Sequence, residues 1–233
     1  MITGGGTGIG RACAEALARE GVRVAICGRR LEPLESCAET IRGRGGQCLI
    51  MRADVSEQAD ASRLTEEVLR AFGTVDILLN NAAIDGQGHI HEHDIATWDR
   101  VMAINLRAPF LMARAILPVM RAKRQGDIVN ISSEAGLEYY PGFGAYGVSK
   151  HALVALGEFI QRENQELGIR VNTICPGVVL TDLTPNREMA IPDKCLYPDD
   201  IADLVLWLVT RRPNIKIGRP ILIQTMAYPW RDR

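Results

Sequence analysis

The chain has 233 residues, 47% of them hydrophobic and 24% charged, with 27 basic against 28 acidic side chains and a formal net charge of −1. That composition is ordinary for a globular protein with a full core and excludes a disordered or fibrous chain, and mixed charge near zero leaves no footprint for nucleic acid. No apolar run reaches the roughly 18 residues of a membrane span and no signal-peptide pattern opens the chain, so a cytoplasmic protein without a membrane partner is expected.

Met1, Ile2 and Thr3 form the first predicted strand, short against the roughly five residues usual for a strand, which places the expected true start upstream. TGGGTGIG follows at residues 3–10, then an alanine-rich helix and a strand at residues 22–27. Further strands are predicted at residues 47–51, 75–80, 126–132, 169–174 and 220–224, separated by segments of helical periodicity. Most are continuously apolar, as strands of a parallel sheet covered on both faces must be. The alternation predicts an α/β, Rossmann-type, doubly wound and mostly parallel sheet of about seven strands in a single domain, residues 1–233.

In the glycine turn, Gly4, Thr7, Gly8, Ile9 and Gly10 stand between strand and helix, where glycine permits a tight turn and close approach to a pyrophosphate at the helix N-terminus. Glycine turns also serve structure alone, but the order of strand, turn and helix favours a dinucleotide. The second strand ends on Gly28 rather than the acid that would accept hydrogen bonds from a ribose 2′-OH, and Arg29 and Arg30 follow. A guanidinium suits a 2′-phosphate, so NADP(H) is favoured over NAD(H); the plain alternative is a solvated helix start. Asp54, followed by Val55, ends the third strand, placed to meet an adenine amino group; Asp54 or Ser56 would equally cap a helix starting near Glu57, and the two roles are compatible.

Ser132 and Ser133 lie at the carboxyl edge of the strand at residues 126–132, where open α/β sheets bind ligands. Tyr146 and Lys150 follow at i and i+4 of a predicted helix, on one face and roughly 6 Å apart along its axis. A phenol exchanges protons poorly at neutral pH unless a cation stabilises phenolate, which Lys150 would supply.

Together TGGGTGIG, NNAA at 80–83, Asn105 in INLRAPF, Ser133 thirteen residues before Tyr146, YGVSK at 146–150 and PGVVLT at 176–181 make the whole chain resemble the short-chain dehydrogenase/reductase family, and the tail at residues 219–233 is similar to that of its NADP-linked members. The resemblance implies that Tyr146 is the proton donor or acceptor, that Ser133 polarises the substrate oxygen, and that Lys150 lowers the tyrosine pKa and binds the nicotinamide ribose. Asn105 would hold a water linking Lys150 to solvent. Asn81 and Ala82 would lie near the cofactor, Pro176, Gly177, Val179 and Thr181 would contact the nicotinamide, and a homodimer or homotetramer would form on the helices carrying Asn105 and Tyr146. The implied activity is reduction of a carbonyl or oxidation of an alcohol, 3-oxoacyl-type or other ketones included. The alternative from another class is a cofactor-sensing regulatory or scaffold protein with little turnover.

Several features stand apart from that pattern. Ala83 replaces the family's usual glycine, the segment after Thr181 is short and implies an open pocket, and the tail at residues 219–233 contains Pro and Trp and is expected at a subunit interface. Cys13, Cys27, Cys37, Cys48, Cys175 and Cys195 lack C-x-x-C spacing and are expected as reduced, structural thiols. His89, His91 and His93 alternate on a loop, but no metal is expected there. Glu134, Leu137, Tyr139, Tyr140 and Phe143 follow Ser133 as candidate pocket residues, with Glu134 suited to a cationic or hydroxyl-rich substrate.

Overall fold

The computed structural model describes residues 1–184, 190–218, 220–226 and 229–230. Seven strands form one sheet: β1 (Ile2–Thr3), β2 (Val24–Gly28), β3 (Cys48–Arg52), β4 (Ile77–Asn80), β5 (Gly126–Ile131), β6 (Ile169–Pro176) and β7 (Ile221–Ile223). Their order is β3-β2-β1-β4-β5-β6-β7 and every pairing is parallel. The chain winds outward from β1 to β3, then returns to place β4 beside β1. That reversal opens a crevice at the carboxyl ends of the central strands.

Helices α1 (Gly8–Arg19), α2 (Leu31–Gly43) and α7 (Pro198–Val209) cover one face; α3 (Gln58–Phe72), α5 (Ala108–Lys123) and α6 (Gly144–Asn164) cover the other. The first layer buries Leu17, Leu34, Ile41, Ile201 and Val205 against β1, β2 and β6, and the second buries Leu64, Leu111, Met112, Ile116 and Ile160 against β2 to β6. Strands buried on both faces explain the unbroken apolar runs in the sequence.

Helix α4 (Ile95–Met102) runs into α5 through a π-helical turn at Ala103–Arg107. The combined stretch Ile95–Lys123 is long and apolar enough by composition to cross a membrane, although charged residues interrupt it. Its apolar side is a core surface, with Val101, Ile104, Leu111, Met112, Ile116 and Met120 buried against the sheet and its neighbours. All six cysteines are buried and free. Residues 185–189 of the short segment and Arg219, Ala227, Tyr228 and residues 231–233 of the tail lie outside the described residues.

Candidate active site

At the carboxyl edge a cavity of about 720 Å³ runs from the end of β2 to the end of β6. Gly4, Thr7, Gly8, Ile9, Arg29, Asp54, Val55, Asn81, Ala82, Ser133, Tyr146, Lys150, Pro176, Gly177, Val179 and Thr181 all line it. Gly10 and Asn105 do not line it.

The turn into α1 depends on glycine at particular atoms. Gly4 (φ 65°) and Gly8 (φ 51°) adopt backbone conformations that a side chain disfavours, and both face the cavity. At Gly10 a Cβ would stand 2.3 Å from the carbonyl oxygen of Gly4 and 2.6 Å from Asn81 Nδ2, so this glycine serves close packing of helix on turn rather than contact with a ligand. Gly8 in turn touches the far wall, since a Cβ there would meet Thr181 Cγ2 at 3.1 Å.

Asn81 is a strut. Its Nδ2 donates to the carbonyls of Thr3 (3.0 Å) and Gly4 (3.2 Å), while the backbone N–H groups of Asn81 and Ala82 donate to Thr3 Oγ1 at 3.0 and 3.1 Å. The preceding Asn80 pairs sideways, donating to Asn130 Oδ1 across β4 and β5 at 2.9 Å. Thr3, which joins the two turns, opens the TGGGTGIG motif, but nothing in the sequence marks it as the partner of Asn81 and Ala82.

Arg29 and Arg30 are exposed at the cavity's β2 end. Asp54 accepts from the backbone and side chain of Ser56 at 3.0 and 2.7 Å, so its carboxylate closes a local turn. The expected capping by Asp54 or Ser56 is corrected: α3 begins at Gln58, its N-cap is Glu57, and Glu57 makes no side-chain cap bond.

The reacting end is built by β5, the short turn after it, and α6. Ser132 and Ser133 separate in role. Ser132 is buried and donates to the Lys150 carbonyl at 2.9 Å, whereas Ser133 faces the cavity, accepts from Ala135 N at 3.1 Å, and reaches the Tyr146 phenol. Lys150 is buried, donates to the Ile131 carbonyl at 2.9 Å, and stands 5.4 Å from the centre of the Tyr146 ring.

Burial pushes the Tyr146 phenol up to about 12; the Ser133 hydrogen bond opposes this and the charges of Asp85 and Glu134 add to it. Burial pulls Lys150 down from 10.5 to about 8. The expected lowering of the phenol by Lys150 is therefore not what this arrangement gives, because desolvation dominates both groups and the ammonium is turned toward Ile131.

Asn105 sits in the π-helical turn with its amide fully engaged: Oδ1 accepts from Ile84 N at 2.9 Å, and Nδ2 donates to Ile84 O at 2.9 Å and to Ser149 Oγ at 3.1 Å. Ser149 Oγ donates in turn to the Tyr146 carbonyl at 2.6 Å. Pro109, four residues on, has no N–H to offer the Asn105 backbone carbonyl. The side chain is held by the protein's own groups. Ser149 lies inside YGVSK, but neither it nor Ile84 was marked in the sequence as a partner of Asn105.

Glu134, Tyr140 and Phe143 line the cavity, and Trp230 of the tail joins them. Tyr139 instead stands 85% exposed and stacks on His151. His93 turns inward toward the Gly86 carbonyl at 3.3 Å, away from His89 and His91, and no three His, Cys, Asp or Glu are grouped to hold a metal among the described residues.

A parallel sheet wound outward from a central glycine turn, with a cavity at its carboxyl edge, has the architecture of a nucleotide-binding fold. The short chain dehydrogenase family model matches residues 1–191. A 2-(S)-hydroxypropyl-CoM dehydrogenase of Xanthobacter autotrophicus is 35% identical, the match covering 93% of this chain and 91% of the relative. Among solved structures, levodione reductase superimposes with a TM-score of 0.88 at 28% identity, covering 96% of this chain and 94% of that one. An alcohol dehydrogenase from the archaeon Thermococcus sibiricus, complexed with 5-hydroxy-NADP, also has a TM-score of 0.88 at 27% identity, covering 97% and 95%. The chain belongs to the short-chain dehydrogenase/reductase family and is an oxidoreductase of that family.

Proposed function

We propose that this protein is an NADP(H)-dependent oxidoreductase that interconverts a carbonyl and an alcohol, with Tyr146 as its acid/base. The observation that carries the reading is the convergence of Ser133, Tyr146 and Lys150 in one cavity, with the phenol buried and within reach of the Ser133 hydroxyl. The cavity fits a dinucleotide: a Cβ at Gly4 would crowd Asn81 Nδ2 at 3.0 Å, Gly8 opens the start of α1, and Gly28, Arg29 and Arg30 replace an acid at the end of β2. Gly4, Thr7, Gly8 and Ile9 would hold the pyrophosphate, Arg29 the 2′-phosphate, Asp54 and Val55 the adenine, and Asn81, Ala82 and residues 176–181 the nicotinamide half. When bound, the cofactor supplies or takes up the hydride.

The protein's own groups then handle the substrate oxygen and its proton. A phenol held near 12 is protonated at neutral pH, the state that reduction of a carbonyl requires. Tyr146 donates that proton to the substrate oxygen while the Ser133 hydroxyl hydrogen bonds the same oxygen and fixes its position. Lys150 holds the ribose, and a water held at Asn105 returns a proton from solvent. Self-association as a homodimer or homotetramer would cover the apolar groove of Met102, Leu106, Phe110 and Leu156 on α4, α5 and α6.

The test is oxidation of NADPH, followed by its absorbance, against a panel of ketones, aldehydes and 3-oxoacyl thioesters. Tyr146→Phe is expected to lower kcat by about 10²–10⁴-fold with the fold intact. Full activity in that variant, or an inactive wild type across the panel, refutes the reading.

A further inference from the structure

Beyond Tyr146 the cavity changes character. Arg29 and Arg30 follow β2, whereas Ser133 and Glu134 follow β5, three strand spacings away or roughly 14 Å. At the β5 end the charges of Asp85 and Glu134 reach Tyr146, and the one cation there among the described lining residues is Lys150, whose ammonium is engaged by the Ile131 carbonyl. An anionic substrate would meet net repulsion there.

Glu134 is the carboxylate best placed to act on a substrate. It follows Ser133 directly, its Oε2 accepts from the neutral amide of Gln224, and a Cβ on Gly177 would stand 3.2 Å from the same oxygen. No ion pair engages it among the described residues. Its charge reaches the reacting centre, since it helps to push the Tyr146 phenol upward. Three aromatic side chains line the same cavity: Tyr140 and Phe143, edge to face with centroids 6.4 Å apart, and Trp230. Tyr140 lies within reach of the Glu134 charge, which adds to burial in raising its phenol. A carboxylate beside an aromatic ring is the chemistry that takes up an organic ammonium, whose charge the carboxylate balances and whose methyl or methylene groups the ring covers.

We propose that Glu134 is a specificity-determining residue that selects ketones or alcohols carrying an ammonium group a few atoms from the reacting carbon, with Tyr140, Phe143 and Trp230 against the cation. This rests on the oxidoreductase reading of Tyr146. Glu134 acts on substrate choice, and the proton and hydride steps stay as described.

Three ketones of matched shape isolate charge from size: a trimethylammonium-substituted propan-2-one, its neutral carbon isostere 4,4-dimethylpentan-2-one, and 2-oxopropane-1-sulfonate. The wild type is expected to favour the ammonium ketone over the neutral one in kcat/KM by about tenfold or more, mainly through KM, with the sulfonate last. Glu134→Gln, which keeps a partner for Gln224, should bring the ratio of ammonium to neutral ketone close to one, and Glu134→Lys should invert the order in favour of the sulfonate. Equal ratios in wild type and Glu134→Gln overturn the inference. A wild type that reduces neutral ketones without preferring the ammonium compound overturns it too, yet leaves the oxidoreductase reading standing. A wild type that reduces no ketone, in this set or in the wider panel, takes both down.

Discussion

Replacing Lys150 with methionine should make the ligand-free protein more stable while abolishing its chemistry. The side chain is buried and its pKa falls from 10.5 to about 8. At about 1.36 kcal/mol per pH unit, keeping the ammonium in the folded state costs about 3 kcal/mol at neutral pH. Methionine fills similar volume without charge but forfeits the bond to the Ile131 carbonyl, a loss of about 1–2 kcal/mol. Lys150→Met is therefore expected to gain about 1–2 kcal/mol at pH 7. The sign of the pH dependence follows from the depressed pKa. Between about 8 and 10.5 the unfolded chain still holds the proton that the folded chain has released, so the wild type gains stability as pH rises. From pH 7 to 9.5 that gain is about 2 kcal/mol, and the variant's advantage should vanish. Tyr146, held near 12, stays silent over this window, and other groups cancel in the comparison. Urea unfolding of both proteins at pH 7 and 9.5 measures the difference. A variant less stable than wild type at pH 7, or a difference independent of pH, would refute the reasoning.

Arg29→Ala should weaken NADP binding by roughly 10- to 100-fold, the worth of charge-assisted bonds to one phosphate, while NAD binding measured by calorimetry moves little. Gly10→Ala should destabilise the protein by about 2–3 kcal/mol or prevent folding, because its Cβ would fall 2.3 Å from the Gly4 carbonyl oxygen. Gly43→Ala is the control, since a Cβ there meets nothing within 4 Å on α2, and thermal unfolding should show it neutral or stabilised.

Most of the scaffold was legible because its signals are local. Apolar runs marked every strand after β1 to within about two residues at most edges, and glycine spacing marked the first turn. Strand-end position and helical spacing made Ser132, Ser133, Tyr146 and Lys150 candidates, and the family resemblance singled out Ser133, Tyr146 and Lys150, all of which line the cavity. What escaped the sequence depends on contacts distant along the chain. Thr3 meets Asn81 and Ala82, Asn105 meets Ser149 and Ile84, and Gln224 meets Glu134. The mistaken expectation about the phenol has the same origin. Four residues on a helix fix where Lys150 lies relative to Tyr146, but the surrounding burial fixes which way both titrate.

The stitching of Asn81 and Ala82 to Thr3 spans 78 and 79 residues of chain. The glycine turn therefore receives its final shape only after β4 has found β1, a contact whose loop-closure cost delays it during folding. A partly folded chain that has built β1, α1 and β2 alone would hold the whole TGGGTGIG motif yet present no finished cradle. Competence to bind a dinucleotide is thus a late event, and its first appearance in a refolding experiment would mark the closure of the sheet's centre.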